Sequence, residues 1–140
     1  MNIAFFLTPK SDVIYATLST TMGQVLELME KERYTAIPII DDKGKYVGTL
    51  TEGDLLWKLK NTPGLNFNNA YDVLLKEVSR RRCNKSVFID SNIEDLLRLS
   101  VNQNFVPVVD DNRTFIGIIK RSEIINYFYD TLFNKDKSIV

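Results

Sequence analysis

Histidine is missing from this 140-residue chain, and cysteine occurs once, as Cys83. Without imidazole there is no His-based triad, no His metal cluster and no imidazole general base. A single thiol excludes an intrachain disulfide framework and a thiolate zinc site of the usual kind, and it is compatible with the cytosol. Neither common Gly-rich phosphate loop is present. Eighteen basic residues balance eighteen acidic ones. No overall field therefore draws the chain to nucleic acid or to acidic membranes. The apolar runs are only a few residues long, too short to cross a bilayer. The start, Met1 to Lys10, lacks the basic opening and long apolar core of a signal peptide. A carboxylate-only enzyme is the catalytic class left open; the expectation is a cytoplasmic protein that is not an enzyme and holds no metal.

What the chain does have is a repeat. Thr35 to Leu56 reads as strand, turn, strand and helix, and it is answered at one constant offset. Pro38 is matched by Pro107, Asp41-Asp42 by Asp110-Asp111, Gly48 by Gly117, Ile39-Ile40 by Val108-Val109, and Leu55-Leu56 by Ile124-Ile125. A repeat of this kind decides the fold before local propensities do. Hydrophobic content of 44% and charged content of 26% are those of an ordinary globular protein.

In chain order, Val13-Ile14-Tyr15 is a short β-branched and aromatic run, the expected first strand. Thr21 and Gln24 have capping-box spacing, and Met22, Val25, Leu26 and Met29 form the stripe of an amphipathic helix. Strands are expected at Ala36–Ile40 and Tyr46–Leu50 around an Asp-Asp-Lys-Gly turn, then a helix over Glu52–Lys60. Asn61-Thr62-Pro63-Gly64 stops that helix. The second copy opens with helical spacing at Tyr71, Leu74, Leu75 and Val78. Next come a basic run (Arg80, Arg81, Arg82, Lys85) and a strand at Val87–Ile89. Ser91 and Glu94 have capping-box spacing before a helix through Ile93, Leu96 and Leu97. Strands at Phe105–Val109 and Phe115–Ile119 and a helix through Ile124–Phe133 close the copy.

Each copy thus reads β-α-β-β-α, an α/β (α+β) architecture. The expected boundaries are repeat 1 at residues 1–62, a linker at 63–70, repeat 2 at 71–133 and a tail at 134–140. A unit of this size buries only roughly 60% of its unfolded surface. The two copies are therefore expected to pack with pseudo-twofold symmetry and to form two equivalent clefts.

These residues resemble the CBS domain family in its tandem arrangement, the Bateman module. The likeness rests on Ile37-Pro38-Ile39-Ile40-Asp41 with Gly48-Thr49-Leu50-Thr51-Glu52-Gly53-Asp54, and on Val106-Pro107-Val108-Val109-Asp110 with Gly117-Ile118-Ile119-Lys120-Arg121-Ser122-Glu123. The resemblance implies a regulatory module whose inter-repeat clefts bind an adenosine-containing ligand: AMP, ADP, ATP, S-adenosylmethionine or a cyclic di-nucleotide. It implies that Asp54 holds the ribose hydroxyls and Thr51 the phosphate or ribose edge. It places adenine near Asp12-Val13 and Thr35-Ala36.

By spacing alone, Thr51-x-x-Asp54 is equally a plain helix cap, and that is the simpler reading; the family context favours a ligand site. In the second copy Lys120 and Glu123 stand at the matching positions. Lysine cannot cap a helix start and its charge opposes the dipole there, so the two clefts are expected to differ. Arg82, Lys85 and Arg121 are candidate phosphate ligands; the bland alternative for the basic run is a solvated linker. A charged neighbourhood of this kind would lower the pKa of Cys83. With no second domain in the chain, the expected target is a separate protein. The family's habit of pairing modules into dimers implies a homodimer, with Met22, Met29, Leu55 and Trp57 as candidate contacts. The alternative is a structural dimerisation or scaffold module with no bound nucleotide.

Overall fold

The computed structural model describes residues 1–80 and 84–134; Arg81, Arg82, Cys83 and residues 135–140 lie outside the described part. The architecture is mixed α+β, with four α-helices and two small sheets among the described residues. Among the described residues no helix is long and apolar enough to cross a membrane.

The chain forms two compact units, and they do not follow the order of the repeats. One is residues 14–84; the other joins Met1–Val13 to the chain from Lys85 onward. The expected boundaries at residues 62 and 71 therefore differ from the division by contacts. Residues 1–13 belong with the second repeat, where β1 joins its sheet, and residues 71–84 belong with the first.

In the residue 14–84 unit the strands are β2 (Ala16–Thr17), β3 (Ala36–Ile40) and β4 (Tyr46–Thr51), after β1 (Thr8–Pro9) in the other unit. The sheet order is β2-β3-β4, with β2 parallel to β3 and β3 antiparallel to β4. Pro38 is tolerated in the middle strand because β2 begins to pair only at Ile39, so no ladder bond is asked of its missing N–H on that side. Helix α1 (Met22–Glu32) starts on the reciprocal Thr21–Gln24 box and stops at Arg33 in the left-handed conformation. Helix α2 (Glu52–Asn61) follows β4 directly. Met22, Val25, Met29, Ile37, Ile39, Leu50, Leu55 and Leu75 form the core. This removes Met22, Met29 and Leu55 from the expected dimer surface, because their side chains are spent on the interior; Trp57 stays partly exposed.

Two local expectations are corrected here. The first strand lies at Ala16–Thr17 and not at Val13–Tyr15, because register with Ile39 and Ile40 places it there. Residues 71–78 form no α-helix but two 3-10 turns, Ala70–Asp72 and Leu75–Glu77. Their backbone is drawn to the start of α1: Met22 N–H donates to Val73 O at 2.7 Å, Leu75 N–H to Thr20 O at 2.8 Å, and Lys76 N–H to Leu18 O at 3.1 Å. The Val73 carbonyl and the Leu75 and Lys76 N–H groups are then lost to a continuous helix.

The second unit has strands β5 (Val87–Phe88), β6 (Phe105–Val109) and β7 (Phe115–Lys120), in the order β1-β7-β6-β5. Its helices are α3 (Ile93–Ser100) and α4 (Arg121–Phe133). Ile3, Phe6, Leu96, Val106, Val108, Ile119 and Ile124 fill its core. Asn92, and not Ser91, caps α3, its side chain accepting the Asp95 N–H at 2.9 Å. Strand β1 pairs antiparallel with β7, Pro9 facing Gly117. A Cβ at Gly117 would lie 2.2 Å from Thr8 O, so only glycine admits the incoming strand.

Candidate functional site

The end of β4 and the first turn of α2 bring four of the anticipated residues together. Ala36 pairs with Thr51 across β3 and β4. The Glu52 N–H donates to Thr35 O at 3.0 Å, tying the helix start to the residue ahead of β3. Thr51 caps α2 in extended conformation. Its Oγ1 accepts the Asp54 N–H at 3.2 Å, and Asp54 Oδ2 accepts the Thr51 N–H at 2.9 Å. Asp54 is only 4% exposed, a charged side chain held inside by this reciprocal box. The plain cap weighed from the spacing is therefore present, and it places a carboxylate at the N-terminus of α2, where the helix dipole favours it.

A polar group that the repeat pattern concealed adjoins it on β4. Thr49 is 1% exposed, and its hydroxyl shares a hydrogen bond of 2.8 Å with Tyr46 Oη, which donates to Asn84 O at 2.9 Å. Arg80 lies across Gly48: a Cβ there would come within 2.7 Å of its Nε. The signal that could have found it is the hydroxyl of Thr49 where the second copy has Ile118, together with Tyr46 in place of Phe115.

The second unit holds Asp12, Val13, Lys85, Lys120, Arg121 and Glu123. Asp12 closes a 3-10 turn that packs on β7, and the Val13 N–H donates to Lys10 O at 3.1 Å. Asp12 and Val13 thus share a unit with Lys120, and not with Thr51 and Asp54. Lys120 sits at the N-cap of α4 and makes no side-chain cap bond; Glu123 is exposed. The Arg121 N–H donates to Asn104 O at 2.9 Å, the counterpart of the Glu52–Thr35 bond. The Arg121 guanidinium is engaged by the end of α3, through Ser100 O at 3.4 Å, Val101 O at 3.5 Å and Asn104 Oδ1. Lys85 is exposed, and its backbone is fastened on both sides by the buried amide of Gln103, at 2.9 and 3.0 Å. Arg82 and Cys83 fall outside the described residues. No cluster of His, Cys, Asp or Glu that could hold a metal ion occurs among the described residues.

Comparison with known proteins gives this geometry its context. The model of the CBS domain matches residues 6–61 and again 75–130. The chloroplastic CBS domain-containing protein CBSX2 of Arabidopsis thaliana is 27% identical over 89% of this chain, which spans 62% of that relative's length. A solved structure of CBSX2 in complex with AMP superposes with a TM-score of 0.72 at 26% identity, covering 93% of this chain and 97% of that one. Listeria monocytogenes CbpB in complex with c-di-AMP has the same fold, with a TM-score of 0.81 at 20% identity over 96% of this chain and 100% of that one. The chain belongs to the CBS domain family and carries the domain twice, as a tandem pair.

Proposed function

We propose that this protein is a regulatory module that binds an adenosine-containing nucleotide at the start of α2 and reports its occupancy to a partner protein. The observation that carries the reading is the buried Thr51–Asp54 box beside the polar Tyr46–Thr49 group. The matching positions of the other copy offer Lys120, Glu123, Phe115 and Ile118 instead. The Asp54 carboxylate, as an acceptor, takes the ribose hydroxyls, each such charge-assisted bond contributing about 1.5–3 kcal/mol when sheltered. Once the cap opens, the Asp54 amide and the Thr51 hydroxyl face the phosphate, with Arg80 as a cation from the neighbouring segment. Opening the cap frees the Asp54 oxygen for the ligand, so binding and the order of the first turn of α2 are linked. That CBSX2 and CbpB have been solved with AMP and c-di-AMP supports this class of ligand.

Isothermal calorimetry with AMP, ATP and c-di-AMP tests the site. Asp54→Ala should weaken the ligand that binds wild type by about tenfold or more, whereas Glu123→Ala should leave its affinity unchanged. Equal affinity for wild type and Asp54→Ala would remove Asp54 from the site. Melting of the free variants is followed in parallel, since loss of the cap alone costs about 1 kcal/mol.

One observation favours a second reading, a dimerisation module with no ligand. Ile125, Tyr129, Leu132 and Phe133 form a stripe on α4, each more than half exposed. We assign this stripe to the homodimer contact, and a thermal-shift panel of adenine compounds at millimolar concentration separates the readings. Stabilisation by none of them would favour the scaffold.

A further inference from the structure

A groove of about 560 Å³ opens in the residue 14–84 unit between α1 and the first turn of α2. Its floor is apolar, made by Leu26, Met29 and Leu55, and Gly23 leaves room there for the ring of Tyr71. Its rim carries three exposed aromatic side chains, Tyr34, Phe67 and Tyr71, the second of them 69% exposed. The remainder of the rim is acidic: Glu27, Glu30 and Glu52 stand against the single cation Arg33. The Tyr71 hydroxyl donates to the Glu27 carboxylate, which fixes that aromatic wall and holds the phenol above its ordinary pKa of 10.0. Among the described residues no ion pair involves Glu30 or Glu52.

We infer that this groove docks a basic amphipathic helix of a partner protein, its apolar side on the floor and its Lys or Arg residues against the aromatic and acidic rim. Helices seat in grooves between helices in this way, with apolar anchors one turn apart. Aromatic faces and carboxylates together favour cations on the flanks. A small ammonium ion alone would leave the apolar floor wet. A second copy is disfavoured, because two such grooves set face to face would oppose their glutamates. The uncharged stripe of α4 has no such obstacle, so self-association and partner docking use different surfaces. The inference does not depend on the nucleotide reading, and its test contains no nucleotide.

The probe is a short fluorescein-labelled Leu/Lys helical peptide titrated into the full chain, followed by anisotropy and by amide chemical shifts. Shift changes should gather on α1, the first turn of α2 and residues 66–71. Glu30→Lys and Phe67→Ala, both at exposed positions, should each weaken binding by about tenfold, and a Leu/Glu peptide of equal length should not bind. Equal affinity for the two peptides, shifts gathered elsewhere, or tetramethylammonium binding as tightly as the peptide would overturn the proposal. Dissociation of a dimer by Glu30→Lys in light scattering would place a second copy in the groove and overturn it as well.

Discussion

Asp41 shows how much one carboxylate does in the turn between β3 and β4. Its Oδ1 accepts the Lys43 and Lys45 N–H groups, each at 2.9 Å, closing the hairpin without the help of the strands. Asp110 repeats the arrangement with Asn112 and Thr114. The Lys45 amide, foremost, and then the Lys43 amide hold the Asp41 carboxyl below its ordinary pKa of 3.8. A carboxylate whose folded pKa is depressed contributes stability above the unfolded pKa and loses it as pH falls through the folded one. Asp41→Asn should therefore lower the melting temperature at pH 6, and the gap to wild type should close as pH drops below 3.8. A gap that stays constant over that range in calorimetric melts would rule out the charge as its source. At this scale the sequence was informative wherever a residue acts on its own neighbours, as Asp41, Thr21 and Thr51 do. Thr49 leaves no local signal because its partner, Tyr46, is held in turn by Asn84 O from a distant segment.

The helices differ most in how they begin. Helices α1 and α2 start on reciprocal boxes and α3 on Asn92, while α4 starts on Lys120 with no side-chain bond. A cation at that position also opposes the helix dipole. Lys120→Thr should supply the missing acceptor and stabilise the chain by about 1 kcal/mol, read as a higher urea midpoint at unchanged slope. An unchanged midpoint would mean that the Lys120 ammonium already has a compensating partner. The strands β3, β4, β6 and β7 lie where their short apolar runs and the repeat place them, because each hairpin supplies its own pairing partner. The strand expected at Val13–Tyr15 and the helix expected over 71–78 differ from the structure for the opposite reason. Their hydrogen-bond partners are remote, and a local pattern carries no record of them.

For the whole molecule, apolar surface is distributed unevenly. The α4 stripe is continuous across more than two turns, the kind of patch that marks an interface. Tyr129→Glu, an exposed position, should abolish the proposed self-association in sedimentation experiments without lowering the melting temperature measured for dilute monomer. Dimers that persist in this variant would move the contact elsewhere. That the chain is a tandem pair was legible from the constant offset between its copies. The composition of its units was not, since the offset says which segments are alike and nothing about which segments touch.

The pairing of β1 with β7 sets an order on synthesis. Residues 14–84 leave the ribosome as a complete unit, while Ile3 and Phe6 belong to a core whose other members, Val106 and Ile119 among them, are made much later. At about 5–20 residues per second, the amino-terminal segment waits on the order of ten seconds for its sheet. Nascent chains arrested after residue 84 should therefore protect residues 14–84 from protease while the first thirteen residues are cut. Only chains that have released β7 should shield Thr8 and Pro9. A segment made before its neighbours is among the last to find its place.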